Sequence, residues 1–238
     1  MTSSPATPEE LFAAVRAADS ARPVVTFYDR ATGERAELSA ASLGNWVAKT
    51  HYLLTDELGL GVGDRAYVDL PLHWLALAVQ LGVLSAGLAF TDDASAAGVA
   101  FADVDGLAGA AAAPEVYAVA LLPWGRGFDM PPPGTTDYVS AVRPQADAWA
   151  SIRRPGRPGD PAVDGQSRGD LVAAARRRAT ELDLAAGARV LLTDRNESMA
   201  LVDVLATLSV HGSLVLVRHA GPESDDALIA QEKVTRVL

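Results

Sequence analysis

Apolar residues along the chain recur at two spacings, the 3.6-residue period of helices and the dense short runs of buried strands. Pro8 to Ala18 predicts a helix. Thr7 stands at the N-cap, Pro8 at the first helical position, Glu9 and Glu10 complement the dipole, and Leu11, Val15 and Ala18 form an apolar stripe. Val24-Val25-Thr26-Phe27-Tyr28, a turn at Ala31-Thr32-Gly33-Glu34 and a return segment to Leu38 read as a hairpin. Ser39 or Ser42 caps a helix to Leu58, with Leu43, Trp46, Val47, Leu53 and Leu54 on its buried side. Gly61-Val62-Gly63-Asp64-Arg65 leads into a strand, Ala66 to Leu70, then the loop Pro71-Leu72-His73-Trp74 and an apolar helix to about Ala86. Gly87 ends that helix and Leu88-Ala89-Phe90 opens another strand. Strand, helix, strand in this order is the grammar of a parallel sheet covered by helices.

The order returns later. A helix from Asp170 to Leu184 precedes Gly187-Ala188-Arg189, a strand Val190 to Thr193 and the loop Asp194-Arg195-Asn196-Glu197-Ser198. A helix from about Met199 to Val210, Gly212 and a strand Leu214 to Val217 follow. Gly63 and Gly187, Arg65 and Arg189, Leu77 and Leu201, Leu81 and Leu205, Leu84 and Leu208, and Ser85 and Ser209 all match at a spacing of 124, while Gly87 matches Gly212 after a one-residue slip. The fold class expected is α/β, with two repeated, mostly parallel βαβ sheet units and helices packed between and around them. One globular domain over 1–238 would hold a first unit at about 20–98, a connecting region at about 99–169 and a second unit at about 170–238. The connecting region carries a strand, Tyr117 to Leu122, a helix, Tyr138 to Ala150, and a proline- and glycine-rich linker, Arg153 to Gly165. Ser224 to Lys233 and Val234 to Leu238 read as a last helix and strand.

Composition narrows the chemistry. Hydrophobic residues make up 49% and charged residues 21% of 238, so the chain can bury a core. There is no cysteine, which removes disulfides, thiolate metal sites and a cysteine nucleophile. A net charge of −10 argues against nucleic acid as a partner. The N-terminus lacks the basic and apolar segments of a secretory signal, and the apolar run Leu75 to Phe90 is interrupted by Gln80, Ser85 and glycines, so no membrane partner is expected and a cytoplasmic location is. Seven arginines at 153, 154, 157, 168, 176, 177 and 178 oppose Asp160, Asp164 and Asp170, and read as an arginine-rich helix face in a lysine-poor chain. His51, His73, His211 and His219 form no HExxH or i, i+4 pair, so no metal is expected. Neither GxSxG nor a Walker loop is present.

The segment Leu38-Ser39-Ala40-Ala41-Ser42-Leu43, then Gly61-Val62-Gly63-Asp64-Arg65, and the apolar helix ending Ser85-Ala86-Gly87 resemble the opening of the adenylate-forming (AMP-binding) acyl-CoA synthetases and their luciferase and peptide-synthetase relatives. Gly187-Ala188-Arg189 fills the place of that superfamily's second strand entry, and Ile229 to Leu238 is similar to the helix and strand that follow it. Short actinobacterial proteins of truncated build share the likeness. The resemblance implies the N-terminal part of such an enzyme.

Its departures imply that the ATP machinery is gone. Where the family carries a Ser/Thr/Gly-rich loop with a lysine, Arg154 to Ser167 has no threonine or lysine and is interrupted by Pro155, Pro158 and Pro161. Proline removes N–H donors, and Asp160 and Asp164 would repel a polyanion. Asp194-Arg195-Asn196 stand where the family places an aromatic residue or histidine, and the later adenylate motifs would lie beyond Leu238. The expectation is a non-catalytic relative without catalytic residues, metal or cofactor, whose scaffold binds a small ligand or a protein partner, a homodimer included. The alternative is an acyl-activating, AMP-forming acid–thiol ligase component completed in trans by another chain. Ligand-pocket candidates are His73, Trp74, Asp194, Arg195 and Asn196, placed after strand ends where open α/β sheets bind ligands. Pro123-Trp124-Gly125-Arg126-Gly127-Phe128 is a candidate partner surface.

Overall fold

The computed structural model describes residues 4–152, 156–196, 200–222 and 224–238. In chain order these form α1 (Pro8–Ala18), β1 (Pro23–Asp29), β2 (Glu34–Ser39), α2 (Ala40–Tyr52), β3 (Arg65–Asp69), α3 (Trp74–Ala86), β4 (Ala89–Thr91), β5 (Val99–Ala102), α4 (Leu107–Ala110), β6 (Val116–Ala118), β7 (Thr136–Asp137), α5 (Tyr138–Val142), β8 (Pro161–Val163), β9 (Gln166–Ser167), α6 (Arg168–Glu181), β10 (Arg189–Thr193), α7 (Leu201–Ser209), β11 (Ser213–Arg218), α8 (Asp226–Glu232) and β12 (Arg236–Val237). The first helix keeps its expected bounds, and the Thr7 N–H donates to Glu10 Oε2 at 3.2 Å as in a capping box.

The chain divides into two compact units. The first comprises Met1–Leu43, Pro71–Trp74 and Leu171–Leu238. Its sheet runs β12-β10-β11-β1-β2, parallel except for β2, which pairs antiparallel with β1 at the edge. Val24, Val25 and Phe27 in β1 and Leu214 to Val217 in β11 are all buried, the near-continuous apolar run that an interior parallel strand requires. The edge strand β2 places exposed Arg35 and half-buried or exposed polar neighbours outward, which discourages further pairing. The hairpin β1–β2 therefore joins the strands at 189–237, whereas the order along the chain had grouped it with the strand at 65–69. Sheet pairing, which sequence distance does not constrain, decides this.

The second unit comprises Gly44–Leu70 and Leu75–Asp170. Its sheet runs β4-β3-β5-β6-β7, all parallel, with β5 wholly buried at the centre. The stretch read as a connecting region thus supplies three of these five strands. Gly82 lets α3 approach α2 closely, since a Cβ there would lie 2.5 Å from Thr50 Cβ. Arg168 is completely buried, and its guanidinium donates to the carbonyls of Leu84 and Leu88, each at 2.9 Å. It caps the carboxyl end of α3 from inside the unit. The expected arginine face is accordingly split in role: Arg168 is core, Arg176 holds Ser4 and Pro5, and Arg178 holds Asp203 at 2.6 Å. Arg153 and Arg154 lie outside the described residues.

Several expected elements are shorter. The strand from Tyr117 is only β6, and the helix from Tyr138 ends at Val142, just ahead of Pro144, which cannot continue it. The linker contains the hairpin β8–β9, turning at Asp164-Gly165 with Gly165 at φ +77°. The start expected for α7 at Met199 lies outside the described residues, and the helix is seen from Leu201.

Within each unit the β-α-β geometry can be compared directly. Arg65, Ala66 and Tyr67 pair with Ala89, Phe90 and Thr91; Arg189, Val190 and Leu191 pair with Ser213, Leu214 and Val215. Every one of these residues has its counterpart 124 positions on. Gly87 N–H donates to Leu84 O at 3.1 Å and His211 N–H to Leu208 O at 3.0 Å, again at that spacing. Gly63 and Gly187 have φ of +101° and +76°, and Gly87 and His211 have φ of +94° and +54°. The counterpart of Gly87 in the backbone is therefore His211 and not Gly212. No slip separates the two ladders.

Candidate functional site

In the first unit the carboxyl ends of β1, β10 and β11 converge on a cluster of charged side chains. Asp194 begins the turn after β10, and its two oxygens accept the N–H groups of His219 at 2.5 Å and Ala220 at 2.9 Å. Those bonds fix the reversal after β11, where His219 adopts φ +54°. His219 Nδ1 lies 2.8 Å from Asp29 Oδ1, which also accepts the N–H of Ala31 at 2.8 Å. Burial pushes the Asp29 carboxyl up, but the His219 contact and the two backbone donors outweigh it and hold the group below its ordinary range.

Arg195 donates to Asp225 Oδ2 and to Gly221 O, both at 2.6 Å, and Arg30 donates to Asp225 Oδ1 at 2.5 Å. Asp225 is buried between these two guanidiniums, and they lower its carboxyl against the opposing effect of burial. The arrangement clamps the segment before α8 onto the ends of β1 and β10. His73 is fully buried, edge-on to Phe27 with ring centres 4.4 Å apart and 5.6 Å from Trp74, itself buried. Burial and the Arg218 charge, opposed by Asp29, bring its imidazole down to about 3, so it is neutral at physiological pH.

The structure thus brings His73, Trp74, Asp194 and Arg195 into one unit, though not into one open pocket. Asp194 and Arg195 are engaged by the turn they stabilise, while His73 and Trp74 belong to the interior. The side chain of Asn196, like Glu197 and Ser198, lies outside the described residues. Asp29, Arg30, His219 and Asp225 went unrecognised in the sequence. The signal available was a charged residue directly after each apolar strand run, with nothing to say which charges would pair.

In the second unit the segment 156–167 carries the hairpin β8–β9. Asp164 Oδ1 accepts from Arg65 Nη1 at 2.7 Å and Asp164 Oδ2 from Thr91 Oγ1 at 3.1 Å. Asp160 accepts the Arg157 N–H at 2.7 Å within its own turn. Beside this hairpin, over the carboxyl ends of β3 and β4, opens a cleft of about 570 Å³ lined by Tyr67, Phe90 and Val163 with Asp69, Asp92 and Asp164. The Tyr67 hydroxyl is hydrogen-bonded to Asp69; burial and the charges of Asp69 and Asp92 push it up. Glycine at 106 and 109 makes room for this pair, since a Cβ would meet Asp69 Oδ2 at 2.8 Å and the Tyr67 hydroxyl at 2.9 Å. Elsewhere in this unit Trp124 is 81% exposed at φ +65°, and Met130 is 85% exposed. Among the described residues no cluster of His, Asp and Glu suits a metal ion, and no helix is long and apolar enough to cross a membrane.

This fold is similar to that of the N-terminal domain of adenylate-forming enzymes. An acyl-CoA synthetase from Brucella canis matches with a TM-score of 0.75 at 16% identity, over 97% of this chain and 46% of that one. Acetoacetyl-CoA synthetase from Streptomyces lividans matches with a TM-score of 0.75 at 18% identity, over 97% and 42%. A fatty acyl CoA synthetase from Mycobacterium tuberculosis gives 0.66 at 16% identity, over 97% and 48%. The chain spans about half the length of these solved structures, and at such identities they establish the fold alone. No family model matches the sequence. A Mycobacterium tuberculosis (strain H37Rv) protein described as a TIGR03089 family protein is 41% identical over 233 residues, 93% of each chain. The chain belongs to the TIGR03089 family.

Proposed function

We propose that this protein is a non-catalytic relative of the AMP-forming acyl-CoA synthetases that keeps the scaffold to bind a small ligand or a protein partner. The supporting observation is the Asp164 hairpin. A phosphate cradle needs free backbone N–H groups, hydroxyls and a cation facing the nucleotide. Here Arg65 faces the carboxylate of Asp164, and Thr91 donates to that same carboxylate. The shared 124-residue displacement of both strand ladders is consistent with an internal repeat retained for architecture.

ATP–pyrophosphate exchange by the purified chain across a panel of carboxylic acids tests the reading. Absence of exchange with every acid is the expected result. Reproducible exchange would overturn it. Exchange appearing only when a second chain is added would instead favour a ligase component completed in trans. Thermal-shift curves with AMP, acyl-adenylate analogues and CoA are expected to be flat.

A further inference from the structure

We infer that the cleft over the carboxyl ends of β3 and β4 binds an organic cation, an amine or quaternary ammonium carried on an apolar body. The inference rests on the ligand-binding half of the function proposed above. At about 570 Å³ the cleft has the size of an ordinary small-molecule site. Its walls offer two aromatic rings, Tyr67 and Phe90, and the side chain of Val163, while its charged groups are the carboxylates of Asp69, Asp92 and Asp164, with the hydroxyls of Tyr67 and Thr91 beside them. Among the described residues none that lines it is basic, and the Arg65 guanidinium is held by Asp164.

Two charges are decisive. With Asp164 matched by Arg65, Asp69 and Asp92 leave the cleft negative, so a carboxylate, phosphate or adenylate entering it meets repulsion. A cation meets the reverse, and aromatic walls add attraction to its positive end while covering its apolar part. The Tyr67 hydroxyl, engaged with Asp69, orients that carboxylate at the strand end. The strand-end location is where open parallel sheets take ligands.

Isothermal titration of the full chain with three molecules of one shape tests the proposal: phenethylamine, 2-phenylethanol and 3-phenylpropionate at neutral pH. The amine is expected to bind at least about tenfold more tightly than the alcohol, the acid not measurably, and added salt is expected to weaken the amine alone. Asp92→Asn, at an exposed position, is expected to cut the preference several-fold with unchanged thermal stability, and Asp69→Asn/Asp92→Asn to abolish it. Equal affinity for amine and alcohol, no binding of any of the three, or a preference that survives the double substitution would overturn the proposal. Pyrophosphate exchange measured on the same preparation separates the two readings. Exchange counts against the non-catalytic reading only, and loss of amine selectivity counts against the cation site only.

Discussion

Arg65 and Asp164 lie 2.7 Å apart, a guanidinium at the entry of β3 and a carboxylate at the tip of the β8–β9 hairpin. Their side chains are 44% and 43% exposed, so water screens the pair. Asp164→Ala is expected to cost at most about 1 kcal/mol in urea unfolding. It also leaves a loop without lysine or threonine, so thermal-shift curves with MgATP are expected to remain flat. A nucleotide-dependent shift in this variant would show that the carboxylate alone had been blocking a working cradle.

Arg168 supports more than any exposed pair. Arg168→Met leaves the carbonyls of Leu84 and Leu88 buried without their donor, and the expected loss is about 2–4 kcal/mol. Arg168→Lys is expected to recover only part of it, because an ammonium lacks the planar fork that reaches both carbonyls. Urea midpoints of the three proteins check the order.

Acid stability follows from groups whose folded and unfolded proton affinities differ. Glu232 receives Tyr28, Arg189 and Arg35, which together overcome the upward effect of burial and depress its carboxyl. Its contribution is present above the unfolded value of about 4.3 and is lost as pH falls through the lower folded value. Glu232→Gln is therefore expected to lower stability at pH 7 and to flatten the decline below about pH 4.5.

His73 acts over a different window. With a folded value of about 3 against about 6.5 unfolded, its contribution is present above pH 6.5 and falls steadily as pH drops toward 3. His73→Leu keeps an apolar group against Phe27 and removes this dependence. The urea midpoint is expected to fall less between pH 7.5 and pH 5 in the variant than in the parent.

The matched ladders make a prediction of their own. His211 holds at φ +54° the left-handed position that glycine holds as Gly87. His211→Gly is expected to raise stability by up to about 1 kcal/mol, and Gly87→Ala to lower it by about as much. Thermal unfolding of both variants decides whether the two positions are equivalent.

Local grammar was largely legible: Thr7, Pro8 and Glu10 announced α1, and the glycine-led entries at Gly63 and Gly187 announced β3 and β10. Partnership between distant segments was not. Val24 to Phe27 reads as a buried strand, but nothing nearby says that β11, almost two hundred residues later, will be its neighbour. The candidate residues show the same limit. His73 and Asp194 were found by their position after strands, whereas their roles depend on Phe27, His219 and Ala220, which only the folded sheet supplies. Tyr67 and Asp69 share one face of β3 by simple alternation, yet the cleft beside them forms only when β4 and the hairpin are in place.

The placement of β1 between β2 and β11 also sets an order of events during synthesis. A ribosome that has released residues 65–137 has supplied every strand of the second unit's sheet, so that sheet has its partners early. β1 and β2 are made before those strands, and β1 must wait until residue 218 for the strand that covers its other side. Until then an apolar strand, Val24 to Phe27, has only a hairpin partner, which by itself is marginal in water. The hairpin β1–β2 is thus made long before the strand that shelters it, and its apolar face is exposed to misassociation over that interval.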